Sequence, residues 1–458
     1  MKLNYKRTLL ISFAFMSLSA FWQMYDNVIP LILQNPLTFG LGETVTGIIM
    51  AIDNVLAIFL MPFFGALSDK ANTKIGKRMP FIVFGTIVAV VMLLTLTVAE
   101  RLVSLPLFIV ILFILLMAMS LYRSPAVALM PDLTPNQLRS KGNAIINLMG
   151  AVGGAYALVA IMVFTPKNFA TDPSHLWIAE GHPNYLWLFV AIVAFMLIAV
   201  MVLFATIKER KISHIVKEEI ASYEKVTGEK VEVEIAGEGG AEDKKAASTG
   251  HAFRHLDAPV RKSMIFLLAS IFLWFTAYNA VTTAFSRYAI KVWGVEGGGY
   301  AQLLMIAMVT AIIAFIPIGI ISSKIGRKKT ILIGIVLMSV CYFLAAFMTS
   351  VNPLMYVFFG TIGIGWASIN VNSYPMVVEM AKGHDIGRFT GIYYVFSMSA
   401  QIFTPVFSGF LLEHVSYKTL FPYAVIFSVL AFITMTRVYH GDSKPLRKVA
   451  IENFDVDD

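Results

Sequence analysis

Twelve times along 458 residues, the chain runs for about 20 residues with almost no charge. A helix of that length crosses the roughly 30 Å hydrocarbon core of a bilayer. The runs lack the short alternation of barrel strands, so the spans are expected to be helices, which satisfy every backbone amide within one segment. They lie near residues 8–33, 44–68, 79–99, 104–130, 141–164, 184–207, 263–289, 299–322, 329–349, 353–380, 388–411 and 417–437. Hydrophobic residues make up 58% of the chain and charged residues 14%, whereas a soluble domain carries about a quarter charged residues. The expected fold class is therefore an all-α membrane protein with twelve transmembrane helices.

Charge placement orients the spans. Thirty of the 36 Lys and Arg fall in the N-terminal tail, the 69–78, 139–141, 208–262, 324–329 and 382–388 segments, and the C-terminal tail. The opposite side holds Arg101, Lys167, Arg287, Lys291 and Lys418, and Arg123 lies within a span. By the positive-inside rule both termini and the long loop are expected to be cytoplasmic, in a cell (cytoplasmic) membrane. MKLNYKR followed by LLISFAFMSLSAF has the look of a signal peptide, but the hydrophobic run continues beyond it, so the first span is read as retained. The net charge of +8 then reflects topology and anionic lipid rather than nucleic acid. Cys341 is the single cysteine, which excludes an intrachain disulfide, and it is read as buried apolar filler. All eight histidines sit in loops or at span edges. His251 and His255 have helical ligand spacing but lie in a polar linker, so no metal site and no cofactor is expected.

The two halves echo each other. GALSDKANTKIGKRMP (65–80) follows the second span and GIISSKIGRKKT (319–330) the eighth. SPAVALMPDLTPNQLRSKGN joins spans four and five, and NSYPMVVEMAKGHDIGRFTG joins spans ten and eleven. Such an internal repeat of six spans belongs to secondary transporters. It divides the chain into a first half (1–207), a linker (208–262), a second half (263–437) and a tail (438–458). Asp69, Asp132, Arg139, Glu379 and Arg388 are read as a cytoplasmic gate, because acids add little to topology. Lys74, Lys77, Arg327, Lys328 and Lys329 are read as topology signals. The linker opens with KERKISHIVKEEIASYEK, which suits a polar amphipathic helix, and continues with GEGGAEDKKAASTG, which suits a disordered tether.

Three ionisable residues fall well inside spans: Asp26, Asp53 and Arg123. Intramembrane charge costs about 3 kcal/mol or more, and functional use is its default explanation. Counting residues places Asp26 about 9 Å and Asp53 about 5 Å from the midplane on the outer side, and Arg123 about 9 Å on the inner side. The acids are assigned to proton or cation coupling, because two carboxylates sharing a site cannot both ionise cheaply. Arg123 is assigned to the substrate, bridged to the acids by a polyhydroxylated molecule. Asn27, Asn54, Asn143, Asn147, Gln302, Asn370, Asn372 and Gln401 are candidate hydroxyl ligands. Trp22, Tyr25, Trp274, Tyr278 and Trp366 are candidate stacking surfaces.

FGALSDK, KIGKRMPF, SPAVALMPDL and NAIINLMGAVGG resemble the major facilitator superfamily, and within it the glycoside–pentoside–hexuronide cation symporters and the related sucrose carriers. The resemblance covers most of the N-terminal half. It implies a twelve-helix alternating-access carrier that moves a glycoside with a proton. Plant sucrose carriers have an arginine in G-P-x-R-A-L-x-A-D-L where this chain has Val127; Arg123 lies one turn earlier on the same face. The intramembrane aspartate of those carriers has no counterpart in FIVILFILLMAM (108–119), so a carried proton needs another residue. The reading is a secondary active transporter, a monomer, for a disaccharide or other glycoside coupled to H+, with Na+ as the alternative ion. A drug or amphiphile:proton antiporter on the same fold is the rival. No metal cluster, nucleotide loop or nucleophile–histidine pair points to an enzyme.

Overall fold

The structure, a computed structural model, describes residues 3–135, 138–165, 184–227, 256–380 and 386–442. Its helices are α1 (Tyr5–Ile11), α2 (Phe13–Gln34), α3 (Glu43–Lys70), α4 (Met79–Arg101), α5 (Leu105–Asp132), α6 (Arg139–Phe164) and α7 (Leu186–Thr206). They continue with α8 (Glu209–Thr227), α9 (Ala258–Trp293), α10 (Ala301–Ile325), α11 (Arg327–Ala345), α12 (Pro353–Met380), α13 (Ile386–His414) and α14 (Leu420–Thr436). Among the described residues, twelve spans are long and apolar enough to cross a membrane, with α1 and α2 together forming the first. The spans put both ends of the chain on one side, called here the basic end; the opposite side is the far end.

Local chemistry sets the helix ends. Pro80 and Pro106 sit in the first turns of α4 and α5, where a missing backbone N–H costs nothing. Helix α9 runs to Trp293 and stops at Gly294, whose φ of 64° is left-handed and suits glycine. At 36 residues it overruns the apolar stretch 263–289, because its outer turns carry Arg261, Lys262 and Lys291, which hydropathy discounts. Arg287, counted from sequence as a far-side charge, is thus a buried residue of α9, 6% exposed.

The halves repeat one packing plan. In the first, α4 packs on α5, α3 on α5, α2 on α6 and α7, and α4 on α7. In the second, α11 packs on α12, α10 on α12, α9 on α13 and α14, and α11 on α14. Each pair has its counterpart six spans later, which is the structural form of the sequence repeat. Large apolar side chains on the outer faces, such as Phe59 (70% exposed) and Ile313 (66%), are placed for lipid contact. Two matching seams, α3 on α13 and α6 on α10, join the halves, with α2 on α9 between them. At the first seam Gly47 lies against the Pro405 carbonyl and Gly409 against that of Glu43, approaches that a Cβ would prevent.

The opening of the linker forms the expected helix, α8, and that helix is tied to the first half. Glu209, 3% exposed at the start of α8, accepts the backbone N–H groups of Lys77 (2.9 Å), Arg78 (3.1 Å) and Met79 (3.0 Å). A carboxylate on the open amides of a helix start is a strong cap. Asp442, just past α14, accepts from the Lys328 N–H at 2.7 Å at the start of α11, repeating the device six spans on. The GEGGAEDKKAASTG stretch and His251 and His255 lie outside the described residues.

The acid networks at the basic end also differ from expectation. Arg78, 1% exposed, pairs with Asp132 at 2.8 Å and with Asp69, and Lys77 reaches Asp132 at 3.1 Å. Arg327 pairs with Glu379. The bases therefore come from the loops after the second and eighth spans, and Lys77 and Arg327 do more than set topology. These pairs brace helices within one half. The side chains of Arg139 and Arg388 lie outside the described residues.

Candidate functional site

Three helices of the first half bring charge to mid-span. Trp22 and Asp26 stand one turn apart on α2, Asp53 and Asn54 lie on α3, and Arg123 lies on α5. All but Trp22 and Asn54 act on one another electrostatically: Asp53 and Arg123 on Asp26, and Arg123 on Asp53. The Arg123 guanidinium rests over the Trp22 ring, 5.5 Å from its centroid, in a cation–π contact. It makes no ion pair with either acid within 4 Å. Asn54 Nδ2 donates to Asp53 Oδ1 at 2.8 Å. The site is thus two acids and one base near each other, with the base paired to neither acid.

The second half supplies an aromatic plane at the same level of its own spans. Tyr278 on α9 stacks on Trp366 of α12, centroids 3.7 Å apart and planes 3° from parallel. Phe275 meets Trp366 edge-on at 5.3 Å. Asn370 follows Trp366 by one turn.

Other predicted residues are placed apart or turned inward. Asn27, 1% exposed, donates to the Gln23 carbonyl of its own helix at 2.9 Å. Asn372 does the same to Ser368 at 2.9 Å. Trp274 is buried at 1%, within the helix packing, whereas Tyr25, buried at 0%, meets the Trp22 ring edge-on at 5.4 Å and feels the charges of Asp53 and Asp26, which puts it beside the central acids. Gln302 is exposed at the far end, where it accepts from the Tyr356 hydroxyl at 3.2 Å, so it belongs to the surface and not to this group. The side chain of Asn143 lies outside the described residues.

The polar ties seen between the halves gather at the far end. Arg287 Nε donates to Glu43 Oε2 at 2.9 Å, joining α9 to α3. Tyr417 donates to Glu43 as well, and Lys291 donates to Gln34 at 3.2 Å. Glu413 accepts the backbone N–H of Thr44 at 2.7 Å. With the close glycine contacts of the α3–α13 seam, these ties close the far end over the central site.

The sequence pattern of the Major Facilitator Superfamily matches residues 9–316 and 293–455. The chain belongs to that superfamily. No curated protein sequence matches it at a meaningful level. Among solved structures it resembles the nucleoside transporter NupG, in a mutant form, with 13% identity and a TM-score of 0.67 over 94% of this chain and 100% of that one. It resembles a peptide transporter, POT, in a mutant form in complex with sulfate, at 13% identity and TM-score 0.65, with 95% of both chains covered. FucP, a superfamily transporter in the outward conformation, scores 0.55 at 15% identity, over 95% of this chain and 99% of that one. At these identities the likeness establishes the fold. Together with the family it places the chain among multi-pass membrane transporters and not among enzymes.

Four residues that organise this major facilitator protein escaped the sequence reading. Glu43 falls one residue before the apolar run 44–68, and Glu100 one residue after 79–99. Arg287 was counted only as a far-side charge, although the stop signal at Gly294 places it nearly two turns inside a helix. Glu209 opens a charged stretch, and nothing local distinguishes it from its neighbours.

Proposed function

We propose that this major facilitator protein is a proton-coupled symporter of a disaccharide or other glycoside, set in the cytoplasmic membrane with both termini inside. The observation that carries the proposal is the grouping of Asp26, Asp53 and Arg123 at mid-span, with Arg123 held on Trp22 instead of on an acid. A guanidinium with unused donors binds hydroxyl oxygens, and neighbouring carboxylates in low dielectric bind protons. The Tyr278–Trp366 plane suits the apolar face of a sugar ring.

On this reading the closed far end leaves the basic end, taken as cytoplasmic, as the way out of the central site. Asp53, sharing with Asp26, takes up a proton when the site faces outward, and the sugar bridges to Arg123. Closure of the Glu43–Arg287 latch follows, and sugar and proton leave inward. Binding energy shifts the equilibrium between the two states only by its difference between them.

The test is uptake by purified protein in liposomes, in sodium-free buffer, with and without an inward proton gradient, across sucrose, maltose, lactose, melibiose and glucose. Gradient-driven accumulation of one of these sugars is the expected result; accumulation only on adding sodium would replace the proton by Na+. A second reading, efflux of a lipophilic organic cation, is favoured by the Phe275–Trp366–Tyr278 cluster near mid-span. Energised cation efflux without sugar uptake would establish it instead.

A further inference from the structure

Glu100 closes α4 at the far end, away from the central site. It is 2% exposed and its Oε1 has no hydrogen-bond partner. Tyr185, just ahead of α7, and Tyr300, just ahead of α10, are each 0% exposed, and neither hydroxyl has a partner. Glu100 and Tyr300 both act electrostatically on the Tyr185 phenol, so both lie near it. Arg287 acts in turn on Tyr300. Glu100 and Tyr185 belong to the first half, Tyr300 and Arg287 to the second. The group therefore crosses the seam where Gly298, two residues before Tyr300, lies against the Ile161 carbonyl of α6.

Each unpartnered buried polar group costs about 1–3 kcal/mol, and an ionised carboxylate costs more. A carboxyl and two phenols sharing one seam in this condition point to a bound species. A phenol is neutral at ordinary pH and both donates and accepts, so the two tyrosines can solvate a carboxyl without competing for its proton. Among the described residues the neighbouring charges are few. Arg101, next on α4, is exposed; the α5 turn 105–108 has no titratable side chain; Arg287 is held by Glu43 beyond Tyr300.

We propose that Glu100, with Tyr185 and Tyr300, forms a proton-binding site at the seam between the halves, filled while the far end is closed and emptied as it opens. On opening, Tyr300 leaves with the second half, water reaches the carboxyl, and Glu100 gives its proton to the far-side solution. On closing, the carboxylate recovers one proton from that solution before Tyr300 covers it. The closed state holds the extra proton, so raising the pH favours opening, by up to about tenfold per pH unit for one proton. This rests on alternating access but not on a sugar substrate or on the central acids.

The test places spin labels at Val163 on α6 and Val415 after α13, both 65% exposed at the far end, in a Cys341→Ser background. The full chain is studied in lipid nanodiscs without sugar, and the interlabel distance is followed from about pH 5 to about pH 9. The expected result is a short distance at low pH giving way to a longer one, with Glu100→Gln short throughout. Tyr300→Phe should move the midpoint and keep the titration, which guards against a Glu100→Gln chain that fails to fold. The same titration in Asp26→Asn/Asp53→Asn separates the seam from the central site and should persist. A parent that does not respond to pH overturns the proposal, as does a Glu100→Gln variant that titrates like the parent.

Discussion

Asp53 shows what one side chain is asked to do. It sits midway along α3, accepts from Asn54, and feels Arg123 without pairing to it. Asp53→Asn keeps the shape and removes the titration. Gradient-driven accumulation should therefore collapse to simple equilibration, while sugar counterflow in the same liposomes stays within about threefold of the parent. Unchanged accumulation would remove Asp53 from the coupling role. Trp366→Ala should weaken sugar binding about fivefold, since an aromatic stacking contact contributes on the order of 1 kcal/mol. The loss should appear in KM or Kd more than in kcat. Asp26, Asp53 and Arg123 were legible in the sequence, because a charge in an apolar run has few explanations. Gln302 was not, because a polar residue near a helix end reads the same whether it lines a cavity or faces solvent.

Helices are held at their ends by charge. Arg78 joins α4 to Asp69 of α3 and Asp132 of α5, and Glu209 caps the same turn. Arg78→Met takes the base from Asp69 and leaves Asp132 only Lys77, and breaking such a pair costs about 3–5 kcal/mol when it is buried. A fall in Tm of the purified carrier should follow. Arg7→Ala, at the looser Arg7–Glu219 pair of 3.4 Å, should cost under about 1 kcal/mol and shift Tm little. Equal shifts would contradict a special role for the Arg78 network. The spans were legible because length and hydropathy decide them. Their ends were not: Glu43, Glu100 and the outer turns of α9 are polar and helical together, a combination that hydropathy assigns to loops.

Across the whole molecule, the ties seen between the halves lie at one end, around Glu43 and Arg287. Arg287→Met should weaken that closure, so that a thiol-reactive probe added from outside labels a cysteine placed at Thr46 (0% exposed) faster than in the same cysteine variant with Arg287 intact, in a Cys341→Ser background. Equal labelling would mean that apolar packing alone keeps the far end shut. The repeat, and with it the two-half design, could be read from matching loops. Which end is closed could not, since it depends on contacts between residues such as Glu43 and Arg287 that lie far apart in sequence. The central claim is that sugar and proton move together. Its most direct measurement is the pH inside sodium-free liposomes when sugar is added outside with no proton gradient imposed, the membrane potential being clamped. The account predicts acidification that tracks sugar entry and disappears in Asp53→Asn. Sugar entry with no change of internal pH would contradict it.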